Sequence, residues 1–213
     1  CAMLPDKVNA PAALLRAPAV KRLAPLAVGT SELSFGGKLR EGMVAGSTAQ
    51  LLEVRNFALA QGRFLPDEDW NRGAPVVVIG AKIREEIFGA TPAVGQLVRV
   101  GDRRVRVIGV LKSAGTGLGM DTDQLIIVPV ALAQALFNSH TLFRILVEAR
   151  SREAIPLAKE QVLEILKARH QGEDDVTVIT QDAVLATFDK LLGALTLAVA
   201  GIAAISLAVA GIL

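Results

Sequence analysis

Gly115, Gly117 and Gly119 alternate in a stretch that resembles a phosphate-binding loop, because glycines let backbone amides approach an anion closely. A dinucleotide fingerprint needs G-x-G-x-x-G opening a helix, but Met120 holds the third glycine's place and Leu125–Val130 reads as a strand. No Gly-Lys-Ser/Thr follows, so a P-loop is excluded too. The stretch therefore reads as a tightly turning surface loop and a candidate partner contact. Asp121 and Asp123 begin like a calcium loop, but Leu125 stands where the loop needs Asp or Asn, and no glycine follows it. Asp123 is expected to hydrogen-bond the turn instead. His140 and His170 stand alone, without carboxylates or cysteines at ligand spacing, and read as surface residues. No G-x-S-x-G elbow or H-E-x-x-H pair occurs. The expectation is no catalytic residue, no metal site and no cofactor. Asp67-Glu68-Asp69 reads as a solvated loop, and Trp70 beside it as a half-buried packing residue.

Bulk properties narrow the classes further. The net charge is +2 and the basic residues are scattered along the chain, which argues against a nucleic-acid or acidic-lipid surface. Seven Phe, one Trp and no Tyr leave little for base stacking. Cys1 is the single cysteine, so there is neither a disulfide framework nor a thiolate metal site. It reads as a fragment boundary, with a lipidated N-terminal cysteine as the alternative.

The elements that must position these residues follow from pattern. Asn9 is a plausible N-cap, with Pro11 in the first turn and Pro18 ending a short helix. Extended stretches near Leu26–Val28 and over Leu39–Val44 flank Gly36-Gly37, while Gln50–Leu59 is weakly patterned. Val76–Ile79 is a run of β-branched residues and reads as a buried strand. Ala81–Phe88 follows as a helix stopped by Gly89. Gln96–Val100 and Arg103–Leu111 form a hairpin through Gly101-Asp102. Within it Val105 and Val107 alternate with Arg104 and Arg106, giving a buried and a wet face. After the strand Leu125–Val130 come a helix Ala131–Phe137 and a strand Leu142–Val147. A helix then starts between Arg152 and Pro156 and runs to Arg169, with Ile155, Ala158, Val162 and Leu166 on one face. Strand Val176–Ile179 and helix 182–190 complete the series. The fold class is α+β: one half of a layer, a β-rich insertion, then the other half.

Every charged side chain precedes Leu191; Leu191 to Leu213 is uncharged. As a helix, that stretch is roughly 34 Å long, enough to cross a hydrocarbon core of about 30 Å. It reads as the start of a transmembrane helix continuous with helix 182–190, since no linker intervenes. Ala200, Ala204 and Ala208 repeat every four residues, a candidate helix-packing face.

Several short motifs occur in the order and spacing of one family: Gly62-Arg63-Phe64-Leu65, Val76 to Gly80, Ile87-Phe88-Gly89, Val94-Gly95 and Val107 to Leu111. Asp123, Val128-Pro129 and the closing Ile205 to Ile212 continue the series. Together they resemble the extracytoplasmic core domain of a MacB/LolC-type ABC transporter permease. The resemblance covers nearly the whole chain, best from Gly62 to Leu213; Ala210 departs from it where glycine is common. It implies a porter-like α/β subdomain (1–45 and 141–181) interrupted by a β-rich subdomain (46–140), with 182–213 a stalk helix entering the membrane. It also implies a bacterial inner-membrane location with residues 1–190 on the periplasmic side. The expected partners are a second permease copy, a cytoplasmic ABC ATPase, a periplasmic adaptor and an outer-membrane channel. The expected function is mechanical coupling of ATP hydrolysis to export or extraction of a substrate, with hydrolysis on a nucleotide-binding domain outside this chain. The alternative is a membrane-anchored periplasmic binding or adaptor protein.

Overall fold

Gly36 and Gly37 both adopt left-handed backbone, at φ 57° and 81°, as a tight two-residue hairpin turn requires. They join β1 (Val20–Phe35) to β2 (Lys38–Ser47) in a long antiparallel hairpin. Pattern suggested far shorter stretches. Polar outward positions at Thr30, Glu32 and Ser34, together with Gly29 and Pro25, dilute the apolar signal of the 16-residue β1. Pro25 lies close to where β1 changes partner. Residues up to Leu26 pair with β10 (Arg144–Ala149), and Ala27 to Phe35 pair with β2.

The computed structural model describes residues 17–114, 116–117, 120–139 and 142–169, together with the single positions 14, 196, 199 and 200. The chain divides into two units, Cys1–Gln171 and Gly172–Leu213, and the elements described here belong to the first. The stretch 50–59 contains α1 (Leu51–Val54) and the start of β3 (Leu59–Gly62). Then come β4 (Val76–Ile79) and α2 (Ala81–Phe88), both with the expected bounds. The hairpin β5 (Leu97–Val100) and β6 (Arg103–Leu111) follows. A short ribbon of β7 (Thr116–Gly117) and β8 (Met120–Asp121) leads through a 3-10 turn (Thr122–Gln124) into β9 (Leu125–Pro129). After α3 (Val130–Phe137) and β10, α4 (Ile155–Arg169) buries Ala158, Val162 and Leu166 and half-buries Ile155, the anticipated stripe. Of the expected N-terminal helix from Asn9, only Leu14, which is helical and buried, and the end at 17–18 are described. The expected strand Val176–Ile179 and helix 182–190 lie outside the described residues. So does nearly all of the uncharged run, in which only Thr196, Val199 and Ala200 are described, each helical. Among the described residues no helix is long and apolar enough to cross a membrane.

The pairing order closes on itself. β1 pairs with β2, β2 with β9, β9 with β4, β4 with β6, β6 with β5, and β5 returns to β1 through Leu33 to Val100 and Ser34 to Arg99. Six strands thus form a ring, which leaves no free edge within it. Its inside is dry. Leu33, Val44, Val77, Val100, Val107 and Ile126, one from each strand, are all fully buried in a single cluster. Burial of each such side chain is worth about 1.5–3 kcal/mol. Ile83 and Ile87 of α2 and Leu132 and Ala133 of α3 join that core.

Strand neighbours of these residues point the opposite way. Val78, Ile108 and Ile127 form a second cluster with Leu51, Phe64 and Leu65 on the outer side of the ring. That double burial explains why β4 and β9 read as unbroken apolar runs while β6, wet on one face at its start, alternates.

Candidate functional site

The glycine loop emerges from the ring at the end of β6 and returns at β9. Its two arms pair as Thr116 with Asp121 and Gly117 with Met120. Gly117 is therefore backbone of a short ribbon, whereas Gly115 and Gly119 lie outside the described residues. The ribbon's base is tied by the two aspartates. The Asp121 carboxylate caps the 3-10 turn, accepting from the Asp123 amide at 3.1 Å and from the Gln124 side-chain amide at 2.5 Å. Asp123 accepts from the Ser113 hydroxyl at 2.6 Å and the Ala114 amide at 3.3 Å, locking the outgoing arm to the returning one. The turn-bonding role expected for Asp123 is what the geometry shows.

The charge at the base follows from those bonds. The hydrogen bond from Gln124, the Asp123 amide and the nearby Lys82 and Arg40 cations hold the Asp121 carboxyl below its usual value, against a smaller opposing effect of desolvation. Arg40 donates to Gln124 at 2.7 Å and pairs with Glu86 of α2, so the turn is also tied to β2 and α2.

Gly80 completes the arrangement. A Cβ there would sit 2.3 Å from the Asp123 carbonyl oxygen and 2.5 Å from that of Thr122. Only glycine lets the β4–α2 junction come this close to the turn. The Gly80 amide donates to the Leu125 carbonyl at 2.8 Å, pinning the start of β9.

The remaining candidates fall elsewhere. Asp67, Glu68 and Asp69 are exposed; Gln50 donates to Asp67 at 2.9 Å and Glu68 lies 3.7 Å from Arg72. Trp70 is partly buried against the ring's core, as its packing role required. His140, His170 and Cys1 lie outside the described residues, as do Ala204 and Ala208; Ala200 is helical and exposed. Among the described residues no three His, Cys, Asp or Glu side chains gather as metal ligands would.

The scattered distribution of basic residues is a property of the sequence only. In the structure Arg99 lies directly across from Arg104, and Arg106 follows on the same outward face. The alternation of Arg104 and Arg106 was visible, but the strand register that adds Arg99 was not. Beside them a shallow groove of about 360 Å³ opens where β3 gives way to β5 along β6, lined by Gly62, Arg63, Val94, Gly95, Arg106, Val107 and Ile108.

The described residues thus form a six-stranded ring that carries a short two-stranded ribbon. Residues 4–165 match the family described as the MacB-like periplasmic core domain, and the chain belongs to that family. The pyoverdine export ATP-binding/permease protein PvdT of Pseudomonas aeruginosa is 28% identical over 203 residues, covering 94% of this chain and 31% of its own length. The macrolide export ATP-binding/permease protein MacB of Rhodopseudomonas palustris is 32% identical over 203 residues, with the same coverage of 94% and 31%. The chain thus spans about a third of the length of these relatives. The crystal structure of the periplasmic region of MacB from Actinobacillus actinomycetemcomitans superposes with a TM-score of 0.74 at 22% identity, over 86% of this chain and 82% of that one. That likeness establishes a shared fold.

Proposed function

We propose that this chain is the extracytoplasmic domain of an ABC transporter permease subunit, which couples cytoplasmic ATP hydrolysis to export or extraction of a substrate by mechanical transmission. The observation that carries the reading is the family match over residues 4–165. The named activities of the relatives, export of pyoverdine and of macrolides, support an exporter. The chain itself is then a transport subunit, with ATP hydrolysed on a nucleotide-binding domain outside it.

In this reading residues 1–190 lie on the periplasmic side of the inner membrane, and Leu191 to Leu213 begins a span whose Ala200, Ala204 and Ala208 face other helices. A porter-like subdomain is interrupted by the β-rich ring. The change of partner along β1, from β10 to β2, supports a division into two subdomains, taken here as 1–45 with 141–181 and 46–140. The ribbon around Gly115, Gly117 and Gly119, based on Asp121 and Asp123, is the partner-facing loop. Partners are a second permease copy, an ABC ATPase and, in diderm bacteria, an adaptor and an outer-membrane channel.

A rigid link between span and domain is the physical requirement, because a flexible linker absorbs displacement. Inserting Gly-Gly after Lys190 in the whole transporter tests it. Transport is expected to fall at least about tenfold while ATP hydrolysis continues, since glycine-rich segments behave as coil. Transport that keeps pace with hydrolysis in the insertion variant contradicts the reading.

A further inference from the structure

Two like-charged pairs lie next to each other on the outer face of the ring. Glu32 of β1 is directly across from Glu41 of β2, and Arg99 of β5 is directly across from Arg104 of β6. Ser34 pairs with Arg99 on one side and Leu39 on the other, so Arg104, Arg99, Ser34 and Leu39 form one row across four adjacent strands. All four charged residues are exposed, and none has an ion-pair partner among the described residues. Like charges directly opposite each other weaken a sheet. Large apolar side chains lie exposed in the same region, Leu39 at 61% and Leu97 at 58%.

We infer that this face docks against the same face of a second copy of the chain, the Glu32/Glu41 pair of each copy meeting the Arg99/Arg104 pair of the other. The charge pattern selects that occupant. A uniformly anionic surface, whether nucleic acid, acidic membrane or acidic protein, gains the arginines but meets the glutamates. A uniformly cationic partner has the converse conflict. A two-fold arrangement presents both signs in reversed order, so one contact repeated twice neutralises all four pairs and covers Leu39 and Leu97. Arginine suits this role, since its planar fork binds carboxylates with two parallel bonds. The inference rests on the second permease copy of the transport reading and goes beyond it by naming the contact surface, which the charge reversals and their mixture test independently of transport.

The test uses the 213-residue chain in non-ionic detergent, carrying either of two affinity tags, with co-purification of the second tag as readout. Wild-type copies co-purify at low salt and lose at least about tenfold of the signal at high salt, because exposed pairs are screened within a Debye length. The double variants Arg99→Glu/Arg104→Glu and Glu32→Arg/Glu41→Arg each lose self-association by at least about tenfold, as juxtaposed like charges repel. Mixing the two variants restores it. Melting curves matching wild type confirm that each variant folds; if a reversal does not fold, Arg99→Gln/Arg104→Gln and Glu32→Gln/Glu41→Gln replace it, and each must weaken self-association. Wild-type chains that do not associate, variants that associate as wild type does, or reversal variants that stay apart when mixed overturn the inference.

Discussion

The ring and the ribbon are built on opposite principles. The ring is closed by backbone pairing on every side and filled from all six strands, so no strand can leave without exposing apolar surface. The ribbon has two paired positions, Thr116 with Asp121 and Gly117 with Met120, and is secured by the hydrogen bonds of two aspartates at its foot. Local stability is therefore expected to be lower at the ribbon than in the ring, which has the denser packing. The contrast suits the ring to holding shape, and it fits the proposal that the ribbon meets a partner. Between them stands Gly80, where backbone of the ring touches backbone of the ribbon's base.

The largest expected effect comes from inside the ring. Ile79 is fully buried there, and Ile79→Ala should cost about 2–5 kcal/mol by the lost burial and the cavity left behind. Urea denaturation measures it; a loss under about 1 kcal/mol means that the interior is not close-packed and removes the contrast.

Gly80→Ala should have a smaller effect, about 1–3 kcal/mol, as its Cβ forces the 122–123 backbone away. The loss should be concentrated at the ribbon, with amide exchange accelerating at Asp123 before the ring strands respond. Uniform acceleration throughout the ring would show that ribbon and ring open together.

The smallest effect is acid sensitivity at the ribbon's base. The Asp121 carboxyl titrates below its ordinary value of 3.8, chiefly through the Gln124 hydrogen bond. A depressed folded value means that its stabilisation is in place above the ordinary value and is lost as pH falls through the folded one. The Asp123 amide resonance should thus titrate with a midpoint below 3.8 in wild type, and this transition should vanish in Asp121→Asn. A midpoint at or above 3.8 breaks the account of the base.

Legibility followed the same division. The β4 strand and the α2 helix are visible residue for residue because each is a short uniform pattern with a glycine at its end. β1 is not, since its partner changes midway and its outer face is polar, so that no single period runs its length. Ring closure is invisible in principle: it rests on Leu33 meeting Val100, residues far apart in the chain. Asp123 was identified as a turn residue from its neighbours alone, whereas the contribution of Gly80 required knowing which loop lies against it. The pairing of Arg99 with Arg104 is a matter of register, which local alternation does not specify across a turn.

The central claim, that this domain is the part of a membrane transporter outside the cytoplasm, has a direct measurement. Asp69 is exposed on a loop, and Asp69→Cys in a Cys1→Ser background gives one addressable thiol in this domain. In intact cells expressing the complete protein, with other cysteines removed, a maleimide that enters the periplasm but cannot cross the inner membrane should label that position as fully as in lysed cells. Labelling only after lysis would place the domain in the cytoplasm and contradict the account.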